Sequence, residues 1–282
     1  MADSLYAIKT LVYDEQKLSM ADLHDALANN FGKLHTPEEA EEITKNLAKA
    51  FAADGVSLTE EQVRTMYQTA LTGGVPEDKR LQYEAIRNML EEVPKFGNDL
   101  PEVDAFARDV AYTYTRPLQE FRNPRGGQYQ AGLYPVSANV PLGAQTGATP
   151  DGRYAGTPVA DGVSPSAGRD THGPTASANS VSRLDHYIAS NGTLFNMKFH
   201  PSALAGREGL ANFVALVRSY FDQKGSHMQF NVVSRETLLD AQKHPDKYRS
   251  LVVRVAGYSA LFTTLSRSLQ DDIINRTEQT SI

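Results

Sequence analysis

Gly257 stands in the chemically most suggestive stretch of the chain, Arg254-Val255-Ala256-Gly257-Tyr258-Ser259-Ala260-Leu261-Phe262. A Val-rich strand candidate precedes it, and a helix bearing Leu265, Leu269, Ile273 and Ile274 follows. A glycine here permits a left-handed backbone, and its missing Cβ lets another group come close to the main chain. Read alone, the stretch is a tight strand-to-helix turn. Other candidate chemistry is weaker. Gly147-Ala-Thr-Pro-Asp-Gly152-Arg153-Tyr154 has the glycine spacing of a phosphate loop but not its Lys and Ser/Thr, so Asp151-Gly152 and Asp161-Gly162 read as turns. The seven histidines include no i, i+4 pair, and no metal site is expected. Glu41-Glu42, Glu60-Glu61 and Asp271-Asp272 read as solvated helix faces. Cysteine is absent, which removes disulfides, thiolate ligands and any thiyl radical from these 282 residues.

The elements that must position this loop fall into three compositional segments. Residues 1–122 read as consecutive helices. Ser4 is a candidate cap, Ser19 with Asp22 approximates a capping box, and Thr36-Pro37-Glu38-Glu39 and Thr59-Glu60-Glu61-Gln62 are fuller start signals. Further helices are expected over 76–92 and 101–119. Residues 123–206 are rich in Gly, Pro, Ser, Ala and Thr, with strand candidates at 132–140 and 193–199 and no core pattern of their own. Residues 207–282 return to order: a helix over 207–221, a strand over 227–233, a helix over 236–242, a strand over 251–255 and a last helix over 263–276.

Composition bounds the partners. There are 28 basic and 34 acidic residues, a formal net charge of −6, which argues against a nucleic-acid or polybasic membrane-surface role. No apolar run approaches the ~20 residues that span a bilayer, and the first residues lack the regions of a signal peptide. A soluble, cytoplasmic protein is expected.

Residues 254–262, continued by Leu265, Gln270, Ile273-Ile274 and Arg276-Thr277, closely resemble the C-terminal signature of glycyl radical enzymes. Asn123-Pro-Arg-Gly-Gly and residues 132–143, 148–162 and 163–185 are similar to the same family, as are the helices at 5–31 and 85–99. Residues 32–82 find no place on the pattern and read as a helical insertion. The tail from Gly257 to Gln279 is most similar to choline trimethylamine-lyase, with glycerol or propanediol dehydratase as the alternative of the same class. A non-catalytic spare radical module or interaction subunit is the alternative of another class.

The resemblance implies an α/β fold: the C-terminal part of a ten-stranded α/β barrel, with N-terminal helices and a glycyl radical module. It implies that Gly257 stores the radical and that Arg254, Val255, Tyr258, Ser259 and Phe262 form the loop read by an activase. It further implies that the activase uses S-adenosylmethionine and an iron–sulfur cluster, and that no cofactor is bound by this chain. A Cys-bearing remainder of the enzyme is the second implied partner, with a homodimer in the complete form and a bacterial microcompartment as a possible setting. Without that cysteine the chain alone is not expected to turn over. Tyr134 and Val136, alternating on the 132–140 strand, are expected to point to one side and line the substrate pocket.

Overall fold

The capping signals at Ser19, Thr36 and Thr59 act as read. The chain, described here over Met1–Ile282 from a computed structural model, begins with α1 (Ala2–Ile8), continued by a π-helical turn over Lys9–Asp14. Ser4 is therefore inside a helix and not its cap. Then come α2 (Met20–Ala28), α3 (Pro37–Ala53), α4 (Glu60–Thr72), α5 (Glu77–Glu92) and α6 (Pro101–Leu118). The Ser19 hydroxyl accepts from the Asp22 N–H at 3.0 Å. Thr36 with Glu39 and Thr59 with Gln62 form complete capping boxes. Each such cap is worth about 1 kcal/mol to its helix.

The middle segment departs from expectation. β1 covers only Gly132–Leu133 of the strand expected over 132–140, and α7 (Asn139–Ala144) takes its last two residues. Pro135 cannot donate to a ladder, and Val136 has φ +57°, which ends the extended run. α8 (Pro174–Ser182) is a helix of small residues, most of them buried. β2 (Gly192–Thr193) and β3 (Asn196–Phe199) follow. Val163, Val181, Leu184, Leu194, Phe195 and Phe199 are all buried, so this segment does contribute a core.

The last third contains α9 (Gly206–Asp222), β4 (Gln229–Val232), α10 (Arg235–Lys243), β5 (Val252–Arg254), β6 (Ser259–Leu261), α11 (Arg267–Asn275) and β7 (Glu278–Gln279). The chain is thus mixed helix and sheet. β3 is the centre of a three-stranded parallel sheet in the order β4-β3-β7 and is buried along its whole length, as a parallel strand covered on both faces should be. β1 and β2 pair in parallel, while β5 and β6 form an antiparallel hairpin.

Contacts divide the chain into two compact units: Met1–Tyr6 with Pro94–Thr146 and Thr157–Ile282, and Ala7–Val93 with Gly147–Gly156. These groups follow contact, whereas the three segments above follow residue type. In the helical unit, α5 lies against α2, and the Tyr83 hydroxyl donates to Asp25 at 2.8 Å. Burial and that carboxylate push the Tyr83 phenol up to about 12. The 147–156 segment is a turn, closed by Thr149 N–H donating to Arg153 O at 3.0 Å, and Arg87 stacks on Tyr154 with 4.2 Å to the ring centroid. In the other unit, Val233, Leu238, Ala241, Val253, Val255, Phe262, Ile273 and Ile274 form one apolar cluster. Val253 and Val255 enter it while Val252 stays exposed, the period of two of a half-buried strand. Each fully buried side chain contributes about 1.5–3 kcal/mol, which anchors the hairpin from below.

Candidate functional site

Gly257 lies in the turn of the β5–β6 hairpin, not between a strand and a helix. Arg254 pairs with Ser259 across the ladder, and the Val255 N–H donates to Tyr258 O at 2.9 Å. Gly257 has φ +82°. A Cβ built there would meet only Leu194 Cδ1 at 3.7 Å, an ordinary contact. Conformation, rather than lack of space, is what demands glycine at this position. At Gly162, φ +77°, lack of space is added to conformation: a Cβ would fall 2.4 Å from Leu194 O, so the backbone there must be bare to approach the 194 carbonyl.

A buried polar ring holds the turn. Gln229 and Asn231 alternate on β4 and both face the hairpin. Asn231 donates to Arg254 O and accepts from Arg254 N–H, each at 2.8 Å, mimicking a strand partner. Gln229 Oε1 accepts from Gly257 N–H and from Arg254 Nη2, both at 3.1 Å. Gln229 Nε2 donates to Asn196 Oδ1, its register neighbour on β3, and Asn196 Nδ2 donates to Asp161 Oδ2. Asp161 lies 3.5 Å from Arg276 Nη2, and Arg276 Nη1 returns to the hairpin by donating to Val255 O at 2.9 Å. Arg276 also bonds Asp272 at 3.0 Å, and Asp272 accepts from Asn139 at 2.9 Å.

Two buried carboxylates share this one guanidinium. Burial pushes the Asp161 carboxyl above its ordinary range, against the pull of Arg276, with Asp272 adding to the rise. Nearby, burial drives Asp170 up to about 6, although Thr277 and Gln279 donate to it. Lys198, fully buried on β3, is lowered to about 8 by burial and donates to Ile274 O at 2.7 Å, tying down the end of α11.

The hairpin gathers the residues singled out from sequence: Arg254, Val255, Gly257, Tyr258 and Ser259 within six positions, with Phe262 fully buried beneath. Arg254 Nη1 donates to Ser259 at 3.1 Å. Tyr134 and Val136 are not brought to one side. Tyr134 lines a cavity of about 430 Å³ with Phe96, Ala160 and Leu184, and its hydroxyl accepts from Asn191 at 3.0 Å. Val136 lines a separate cavity of about 570 Å³ with Val140, Ser266 and Leu269. Alternation fails because the strand stops at Leu133. Asp272, read as solvated, is instead buried beside Arg276, while Asp271 bonds Gln242. The ring residues Gln229 and Asn196 had no site signal in sequence; Asn139 and Asp161 lie in the family-like segments 132–143 and 148–162, where Asp161 reads only as a turn, and Arg276 lies in the C-terminal signature.

One histidine does meet two carboxylates. Ligand atoms of His200, Glu236 and Glu278 lie within 4.8 Å of one another. That trio could hold a divalent cation, but Glu278 already accepts from the Arg235 backbone N–H at 2.6 Å and sits 3.9 Å from the Lys198 ammonium, so donors of the chain itself serve it. No helix is long and apolar enough to cross a membrane.

Residues 159–263, which contain the Gly257 hairpin, match the glycine radical family, and residues 1–143, including 32–82, match the pyruvate formate lyase-like family. The chain belongs to the glycyl radical enzymes, whose solved members share the pyruvate formate lyase-like α/β barrel. It is similar over 99% of its length, at 60% identity and a TM-score of 0.83, to a structure from Roseburia inulinivorans concerned with 1,2-propanediol dehydration, of which it covers 30%. The glycerol-bound B12-independent glycerol dehydratase of Clostridium butyricum is 48% identical over 99% of the chain, with a TM-score of 0.78 and 29% of that protein covered. The probable dehydratase YbiW of Escherichia coli is 41% identical over 285 residues, 99% of the chain and 30% of the relative. The chain therefore spans about 30% of the length of these relatives. They back the diol dehydratase alternative better than the choline lyase reading of the tail.

Proposed function

We propose that this chain is the radical-bearing portion of a glycyl radical dehydratase acting on a small vicinal diol, with Gly257 storing the radical. The observation that carries the reading is the family's glycine, held at positive φ in a hairpin pinned from beneath by a buried polar ring, in a chain 60% identical to the propanediol-related structure. A Cα radical is stabilised when the carbon flattens and conjugates with both flanking amides. A side chain would oppose that flattening, and glycine carries none. A radical-SAM activase would remove the Cα hydrogen, and Arg254, Tyr258 and Ser259 on the exposed hairpin would meet it.

Catalysis needs a thiyl group, and these 282 residues contain no cysteine, so that group belongs to the Cys-bearing remainder. There the thiyl would take hydrogen from a hydroxyl-bearing carbon of the diol. Loss of water from the neighbouring carbon and return of the hydrogen would leave an aldehyde. Gly257 and Tyr258 are exposed on this chain, so the remainder would also supply the walls that exclude water and oxygen. The test joins the chain to that remainder and to its activase under anaerobic conditions, then compares propane-1,2-diol, glycerol and choline. Aldehyde from a diol is expected. Release of trimethylamine from choline without diol turnover would restore the other reading.

A further inference from the structure

We propose that Gln229 is the positioning residue of the Gly257 loop, and that the Asp161 carboxylate sets the direction in which the Gln229 amide faces. The proposal deepens the radical-storage reading of Gly257 and rests on it. An amide side chain fits most sites in two senses, and its neighbours choose between them. Here both ends choose the same sense. The Asp161 oxygen that meets Asn196 also faces the Arg276 guanidinium at 3.5 Å, so it is the accepting oxygen, and Asn196 must turn its NH2 toward it. The Asn196 oxygen then faces Gln229 and takes its NH2. Gln229 is left with its oxygen toward Gly257 N–H and the Arg254 guanidinium, both donors. The reversed sense would set an NH2 group against a peptide N–H.

The turn is thereby held at the two peptide groups flanking Ala256. Arg276 fixes the Val255 carbonyl, and Gln229 fixes the Gly257 N–H. The second of these matters for a radical, because an unpaired electron on the Gly257 Cα spreads onto that same peptide nitrogen. Fixing the N–H fixes the plane of the amide with which the radical must conjugate. Gln229 is buried and sits in a strand, so the constraint comes from a rigid element rather than from the loop itself.

Amide hydrogen exchange on the whole chain tests this before any radical is made. In Gln229→Met the Gly257 N–H is expected to exchange 3–10-fold faster, in proportion to one lost hydrogen bond, while the reference amides of Phe199 and Val233 stay as they were. Gln229→Glu, which keeps an acceptor, should hold Gly257 within twofold of the unaltered chain. Asp161→Asn, which frees the relay to turn over, should raise the rate by a smaller factor. If Gln229→Met loses protection at the reference amides, the temperature coefficient of the Gly257 N–H in the unaltered chain decides: a shallow one supports the bond and a steep, water-like one overturns it. After activation, the glycyl doublet of Gln229→Met should decay at least threefold faster anaerobically and recover in Gln229→Glu. A normal doublet with Gly257 exchange unmoved by Gln229→Met overturns the clamp alone. Exchange that follows the expected ratios with no doublet in any variant overturns the radical reading and leaves the clamp supported.

Discussion

Of the turns that hold a residue at positive φ, those at Gly257 and Val136 are built in opposite ways. At Gly257 the residue type accepts the left-handed region freely, and buried polar groups from four separate stretches of chain fix the peptides around it. At Val136 a β-branched residue occupies the same region, at φ +57°, with 45% of its surface exposed. Strain is thus absent where the loop is held most firmly and present where nearly half of the residue's surface is exposed. The difference teaches that the Gly257 turn owes its shape to its surroundings, whereas at Val136 the backbone bears a local cost of about 1–2 kcal/mol.

The comparison can be broken most severely at its centre. Gly257→Ala is expected to abolish the glycyl doublet after anaerobic activation, read by electron paramagnetic resonance, because alanine resists both the positive φ and the flattening of Cα. A doublet of undiminished intensity would move the radical to another residue. Next in size is Arg276→Met. It leaves Asp161 and Asp272 buried without their cation, and loss of one member of such a set costs about 3–5 kcal/mol. Urea unfolding should show the midpoint fall accordingly, and a change within 1 kcal/mol would mean the ring does little to hold the hairpin.

Asp170 gives a third handle on the held turn, since it receives Thr277 and Gln279 just beyond Arg276. Its folded pKa of about 6 lies above the unfolded value, so the folded chain keeps a proton that the unfolded chain has released. Stability from this group is full below about pH 4 and is lost as pH rises through 6, by roughly 2–3 kcal/mol. Asp161 acts with the same sign. Comparing unfolding free energies at pH 4.5 and pH 7, Asp170→Asn should show a smaller loss over that range than the unaltered chain. Equal losses would assign the pH dependence elsewhere. The smallest effect is expected at the other turn. Val136→Gly relieves the left-handed strain but adds the freedom of glycine to the unfolded chain, for a net gain within about 1 kcal/mol. A clear destabilisation would mean that the Val136 side chain, and not the backbone, sustains that turn.

What could be read from residue order alone follows the range of each signal. The capping boxes at Thr36 and Thr59 are local, and they appear where their residues stand. The Gly257 loop was legible as a motif, though not as a hairpin, because Tyr258 to Leu261 carries no alternation marking β6 as a strand. α8 escaped notice because Ser177, Ala178, Ser180 and Ser182 are buried for their smallness, which leaves no apolar stripe. Pro135 was a warning against a long strand, and Val136 gave none. The ring beneath Gly257 was the hardest part. Asn and Gln are ordinary surface residues until a partner far along the chain makes them buried acceptors. Asp272 resembled a solvated helix residue until Arg276 and Asn139 were seen to flank it.

That distance along the chain has a consequence for folding in time. The β5–β6 hairpin joins neighbours and can close within microseconds. The ring that holds it joins stretches as far apart as Asn139 and Asp272, 133 positions, and such closures come late because chain entropy must be surrendered first. During refolding the turn should therefore exist for a while with its shape only half imposed: Gly257 hydrogen-bonded to nothing, its amide open to solvent, the strand on either side already paired. Pulse-labelling would see this as Ala260 or Phe262 gaining protection before Gly257 does. The hairpin and its clamp would then be two events separated in time, and a nascent chain would pass through the first before it reached the second.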